Sequence, residues 1–359
     1  MKLSKTLTSA IALTAALALT LGLTACNKDD AATTSGGDTT TAGAVQTSYK
    51  YGKVQIPGKD GALCGAPIYI AKDKGFFAEE GFDIELISAD AETRKVGLNN
   101  GTIPIVNGDF QFFPSIDEGV NVSVVDGLHN GCIKFIVKKG SPIKTAEDLR
   151  GKRIAVDELG GTPHQVASVW VEKAGISAKP ENKEVEFVVY SDGNLEIEAL
   201  KNGDVDVAAL WDPLGSVYTS GDHASEYEVL FDLSTDPTFA GKYCCFLYAS
   251  NKIINEDPAQ IAALLRAYHK AQEWIAENPK EAVDIISDKK YSAIEDKALA
   301  EELVKSYVYP SAHAHANNTQ DVGKDVEYFA TELYNIGYLK SEPADFVKKA
   351  YYKVDLNLK

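Results

Sequence analysis

No run of lysine and arginine long enough to follow a phosphate backbone occurs in this chain. Over its 359 residues 36 Lys+Arg face 52 Asp+Glu, a net charge of −16 at pH 7, and nucleic acid is thereby excluded as a partner. There is no P-loop and no dinucleotide fingerprint, since Gly160-Gly161 lacks the glycine spacing such a fingerprint needs. No Ser-His-Asp order occurs either, so nothing in the chain demands catalysis. Beyond the amino terminus no apolar run reaches the ~20 residues of a membrane-spanning helix. The paired C-x-x-C spacing of a structural zinc site is absent as well. What is present, 45% hydrophobic and 25% charged residues, is ordinary globular composition at a length for two or three domains.

The amino terminus is the exception. Lys2 and Lys5 precede an apolar, small-residue stretch from Ala10 to Ala25, too short to span a bilayer and built like an export signal. It closes in Leu23-Thr24-Ala25-Cys26, which resembles a bacterial lipobox, with Cys26 as the lipidation site. Residues 1–25 are therefore expected to be a lipoprotein signal peptide. Residues 26–48, rich in Thr, Ala, Gly and Asp, are expected to be a flexible tether with too little apolar surface to fold. The folded part is placed outside the cytoplasm, held to a membrane by lipid.

From Tyr51 onward, short β-branched runs (Val54–Ile56, Ile84–Ile87, Ile103–Val106, Ile154–Val156) alternate with helix-like stretches. One pattern occurs twice. Gly65-Ala66-Pro67 and Gly161-Thr162-Pro163 each follow a strand and open a helix. Likewise Leu98-Asn99-Asn100-Gly101 and Leu200-Lys201-Asn202-Gly203 each close a helix and lead into a strand. Two α/β lobes of related build follow. Glycine lets these loops approach a ligand closely, and proline fits a first helical turn where its missing N–H has no partner anyway. Ligands of open α/β sheets sit beyond the carboxyl ends of the strands, so two facing lobes enclose a solute between such loops.

Longer stretches carry a family resemblance. The lipobox, Ile68-Tyr69-Ile70-Ala71-Lys72-Asp73-Lys74-Gly75-Phe76-Phe77, Gly81-Phe82-Asp83-Ile84, Ile143–Val156, Gly203–Val207 and Asn278-Pro279-Lys280-Glu281-Ala282 together resemble the nitrate/sulfonate/taurine-type substrate-binding proteins of ABC importers. The resemblance implies an α/β, two-lobed periplasmic-binding-protein fold of the second type, its lobes joined by a two-strand hinge. Lobe 1 would be 50–137 plus 238–359 and lobe 2 138–237, with crossings near Phe135–Lys139 and Ser234–Leu247. The partners implied are a small-molecule solute, an ABC permease and its ATPase, with the receptor itself a monomer. Tyr243-Cys244-Cys245-Phe246 also resembles the Cys-rich motif of the related enzymes that make the thiamine pyrimidine precursor. Here, however, Tyr243 replaces that motif's leading His and one cysteine is missing.

In the last third, Asp257-Pro258 caps and opens a helix whose Ile261, Leu264, Leu265, Tyr268, Ala271, Trp274 and Ile275 form a core stripe, with Arg266 and His269 expected in solvent. Cys64, Cys132, Cys244 and Cys245 remain after lipidation. Two disulfides in three connectivities, one disulfide, or buried thiols all stay open. Strand alternation predicts that Cys244 and Cys245 face opposite ways and cannot share a site. A Cys₃His metal site would need Cys64, His129, Cys132 and one of that pair to converge; without C-x-x-C spacing, no metal and no cofactor is expected. His313-Ala314-His315 reads as a solvated loop.

The loops themselves indicate the ligand class. Asp157-Glu158 puts carboxylates where an anion would otherwise sit on backbone N–H groups, and lobe-facing arginines are not evident. Aromatic faces beside carboxylates and an amide suit a flat, neutral or cationic heterocycle. Cys64, Asp109, Phe110, Gln111, His129, Thr162, His164, Tyr190, Trp211, Asp212 and Cys244 are the expected ligand contacts, and no catalytic residue is expected. A pyrimidine-precursor-synthase-like enzyme and an extracellular metal or haem scavenger are the alternative readings.

Overall fold

The computed structural model describes residues 48–58, 61–310 and 321–359. The expected signal peptide, the tether up to Thr47, Cys26 and the His313-Ala314-His315 loop lie outside the described residues. Among the described residues no helix is long and apolar enough to cross a membrane.

Ten strands form three sheets, two small ones in a first layer and a larger one in a second. In the first, β1 (Lys53–Pro57) pairs in parallel with β2 (Asp83–Ile87), and β10 (Cys245–Ser250) lies antiparallel between β3 (Ile105–Asp109) and β4 (Val122–His129). The second is a five-stranded sheet in the order β7 (Glu186–Val189), β6 (Arg153–Val156), β8 (Val207–Trp211), β5 (Ile133–Lys138) and β9 (Tyr227–Asp232). The β-branched runs of the sequence fall on these strands, and some strands are buried on both faces because helices cover the sheets. β4 and β10, for example, expose almost nothing.

The internal repeat is structural. Pro67 opens the helix Ala66–Asp73 and Pro163 the helix Thr162–Lys173. The helices Ala91–Asn100 and Gly193–Asn202 both stop at a glycine in the left-handed region, Gly101 and Gly203, and the chain then enters β3 and β8. The Asp257-capped helix Pro258–Glu277 buries Ile261, Leu264, Leu265, Tyr268, Ala271 and Ile275. Each such aliphatic side chain removed from water is worth ~1.5–3 kcal/mol. Arg266 and His269 are not in solvent as expected. Arg266 pairs with Glu80 at 2.6 Å and donates to the Leu356 and Leu358 carbonyls, and His269 pairs with Asp126. The stripe of the helix is wider than its apolar residues because neighbouring acids follow it.

The chain changes layer twice. β4 ends at His129 and β5 begins at Ile133, so the first change falls at Asn130–Cys132. That is short of the expected Phe135–Lys139, most of which is inside the second sheet, where Phe135 pairs with Ala209 and Phe231. The second change runs between Asp232 of β9 and Cys245 of β10. The two segments touch at Gly131, whose φ of +57° suits glycine and which packs against Ser234.

Candidate functional site

Strand register brings a row of polar groups to the edge where the layers meet. Cys245, the first residue of β10, sits opposite Asp109 on β3 and His129 on β4. From the other layer, Ile133 is paired with Trp211, and the Asp212 N–H donates to the Cys132 carbonyl at 2.8 Å. Asp109, His129, Cys132, Cys245, Trp211 and Asp212 thus stand at one junction because five strands end or begin there.

The two lobes are bonded across this junction. The Thr162 hydroxyl, in the first turn of the helix after β6, donates to Asp109 Oδ1, which also accepts from the Gln111 N–H at 2.9 Å. Burial raises the Asp109 carboxyl to about 7, against the lowering effect of those two bonds, with Cys244 and Asp157 adding to the rise. Trp211 is half-buried and its Nε1–H donates to Asp157 Oδ2 at 2.9 Å.

Asp212, expected as a ligand contact, is already paired within the protein. Lys134 Nζ lies 2.5 Å from its Oδ2 and 3.4 Å from Asp232, and the Ser216 N–H and hydroxyl donate to its Oδ1. Burial lowers Lys134, but the two carboxylates outweigh it and hold the ammonium above its ordinary value. This buried cation is already neutralised, so it is a poor anchor for an anionic ligand.

The cysteines correct the alternation argument. Cys132 Sγ is 3.3 Å from Cys245 Sγ and 3.9 Å from Cys244 Sγ, and the two neighbours' sulfurs are 3.7 Å apart. Cys244 precedes the strand, and the pairing of β10 with β4 slips between Cys245 and Phe246. Alternation holds only along regular strand, so both thiols reach the same place. None of Cys64, Cys132, Cys244 and Cys245 is in a disulfide. Cys64 is partly exposed in the turn Leu63–Gly65 and acts electrostatically on Cys132, Tyr307 and Tyr309.

His129 is fully buried. Its Nδ1 is 3.0 Å from the Asn130 carbonyl, its ring stacks on Tyr307 with centroids 4.3 Å apart, and its Nε2 has no partner. Burial lowers its pKa, against the opposing pull of Cys244 and Asp212, which favours neutral imidazole. The hydroxyls of Tyr307 and Tyr309 are likewise buried without partners. Buried polar atoms in a folded protein are normally bonded, so three such atoms around one junction mark a place suited to a polar occupant.

The remaining expected contacts are not brought to this junction. Phe110 stacks on Phe329 at 4.3 Å and is core. Tyr190 packs on the small second-lobe core of Ile136, Leu200 and Leu210. His164 accepts from the Gly160 N–H and is bonded to the Tyr338 hydroxyl, both at 2.8 Å, and burial lowers it to about 4. It lines a separate cavity of about 730 Å³ with Lys152, Lys179 and Phe187. Reading the sequence for ligand contacts misses Tyr307 and Tyr309, whose spacing across Val308 in a polar stretch is the one signal available, and Lys134, hidden in an apolar strand.

A family model described as NMT1/THI5 like matches residues 65–282. The chain belongs to the NMT1/THI5-like family. Within this family match lie both Pro-opened helices, both layer changes and the Cys pair. A Brucella abortus protein described as a binding protein is 23% identical over 292 residues, 79% of this chain and 86% of that one. The periplasmic aliphatic sulphonate binding protein SsuA from Escherichia coli superposes with a TM-score of 0.65 at 16% identity, over 84% of this chain and 92% of its own. The periplasmic nitrate-binding protein NrtA from Synechocystis does so with a TM-score of 0.63 at 16% identity, over 83% and 85%. The fold of this NMT1/THI5-like chain is accordingly that of the periplasmic binding proteins, two α/β lobes joined at a hinge.

Proposed function

We propose that this protein is an extracytoplasmic solute-binding lipoprotein of an ABC importer, anchored through Cys26, which closes its two lobes over a small organic molecule and hands it to a membrane permease. The observation that carries the reading is the junction itself: Asp109 and Thr162, from different lobes, bonded beside the buried and unpartnered hydroxyls of Tyr307 and Tyr309. Closure is a hinge motion favoured by contacts available only in the closed state, and the Asp109–Thr162 bond is one of them. The protein turns nothing over in this reading.

The ligand is a flat, neutral or cationic heterocycle. Asp109, Asp157 and Asp212 bring carboxylates to the junction, and the one buried cation among the residues placed there, Lys134, is committed to Asp212 and Asp232. Trp211 offers a half-exposed ring beside Asp157, an arrangement suited to stacking on a π-system with a polar edge. Isothermal titration with a bound heterocycle tests this. Asp109→Ala and Trp211→Ala are each expected to weaken binding by at least tenfold, about 1.4 kcal/mol, and unchanged affinity in both variants would remove the junction as the binding site.

A further inference from the structure

We propose that His129, Cys132, Cys244 and Cys245 form a Cys₃His site for a thiophilic metal ion of the zinc(II) class, resident at the hinge and separate from the solute. Three sulfurs bound at about 2.3 Å to one tetrahedral ion lie about 3.8 Å apart. The three here are separated by 3.3, 3.7 and 3.9 Å, close to that triangle before any ion draws them in. Thiols packed merely as small hydrophobes have no reason to meet in a threesome. A ring nitrogen of His129 and the sulfurs of Cys132 and Cys245 all lie within 4.8 Å of one another, and the three residues are fully buried.

The histidine supplies the independent observation. Its Nδ1 is taken up by the Asn130 carbonyl, which fixes the tautomer with the lone pair on Nε2, and that nitrogen is buried with no partner. A backbone carbonyl orienting a ligating imidazole through its other nitrogen is the usual outer support of a metal site. Asn130 is itself anchored, its side-chain oxygen accepting from the Val308 N–H at 2.8 Å, so the support is rigid.

The sequence pattern fits in retrospect. His129 ends β4 and Cys132 closes the first joining segment three residues later, while Cys244 closes the second just before Cys245 opens β10. The strand slip after Cys245 does what a C-x-x-C turn does elsewhere, aiming two nearby sulfurs at one point. Binding releases the thiol protons as three S–Zn bonds form, so uptake strengthens with pH. Because every donor lies in a joining segment or on the strand residue next to one, the ion ties those segments together whether the lobes are open or closed. The site goes beyond the solute reading and does not depend on it.

Titration of the full-length protein, reduced and stripped of metal, with zinc(II) and with cobalt(II) tests the site. One zinc per chain is expected, and cobalt should give thiolate charge-transfer absorption with the intense visible bands of a tetrahedral ion. Cys245→Ser and His129→Ala are each expected to weaken zinc binding at least tenfold, whereas Cys64→Ser should leave the stoichiometry at one. Uptake by the wild type well below one equivalent, cobalt spectra without thiolate bands, or affinity untouched by Cys245→Ser would each overturn the proposal. The wild-type titration decides even where a variant does not fold. Solute binding measured on the same metal-free sample separates the two readings, since either can fail while the other stands.

Discussion

Asp109 shows how burial turns an ordinary carboxylate into a titrating element. Its unfolded value is near 3.9 and its folded value about 7. Between about pH 4 and pH 7 the folded state therefore binds more protons than the unfolded state, and stability falls as pH rises through that window, being fully present below it. The difference is bounded by about 4 kcal/mol. Asp109→Asn keeps an oxygen to accept from Thr162 and Gln111 but cannot ionise. Denaturant unfolding from pH 4 to pH 8 should show wild type losing stability relative to this variant, and parallel curves would contradict the assignment. Asp109 was legible in the sequence as a carboxylate at a strand's carboxyl end. Its partner Thr162 was legible as a helix opener and as an expected contact, but the bond between the two was not, because it spans 53 residues of chain. Asp212 was read with the same logic and found a different fate, since Lys134 sits one strand over in an apolar run that carries no hint of a charge pair.

At the scale of elements, the two segments joining the lobes determine how the layers are set. Gly131 combines a left-handed φ with close packing: a Cβ built there would lie 2.4 Å from Ser234 Cβ and 2.9 Å from Ser234 Cα. Backbone cannot give way cheaply, so Gly131→Ala should cost roughly 1–3 kcal/mol, read as a lower midpoint in urea unfolding. A change within about 0.5 kcal/mol would mean that the joining segments are not packed against one another as described. The Pro-opened and Gly-closed helices were legible because each rests on local chemistry, a missing N–H or a positive φ. The position of the first layer change was not, since β4 and β5 read as one apolar stretch interrupted by only three residues. The strand slip at Cys245 left no mark in the sequence either, and it reverses where two cysteines point.

For the whole molecule, the doubled strand-loop-helix pattern together with the family resemblance carried the fold, because a two-lobed α/β architecture repeats its punctuation in each lobe. The family match over residues 65–282 and the superposition on periplasmic binding proteins stand with that reading. Ligand class is a subtler property, set by a few groups that meet only after both lobes are built. The measurement that tests the account most directly is thermal unfolding of the protein against a panel of nitrogen heterocycles, polyamines, sulfonates and nitrate. A true ligand at 100 times its dissociation constant should stabilise the fold by ~2.7 kcal/mol. A saturable upward shift is expected with one heterocycle, abolished in Asp109→Ala, and none with the anions. A shift given by sulfonate or nitrate alone, or one that survives Asp109→Ala intact, would contradict it.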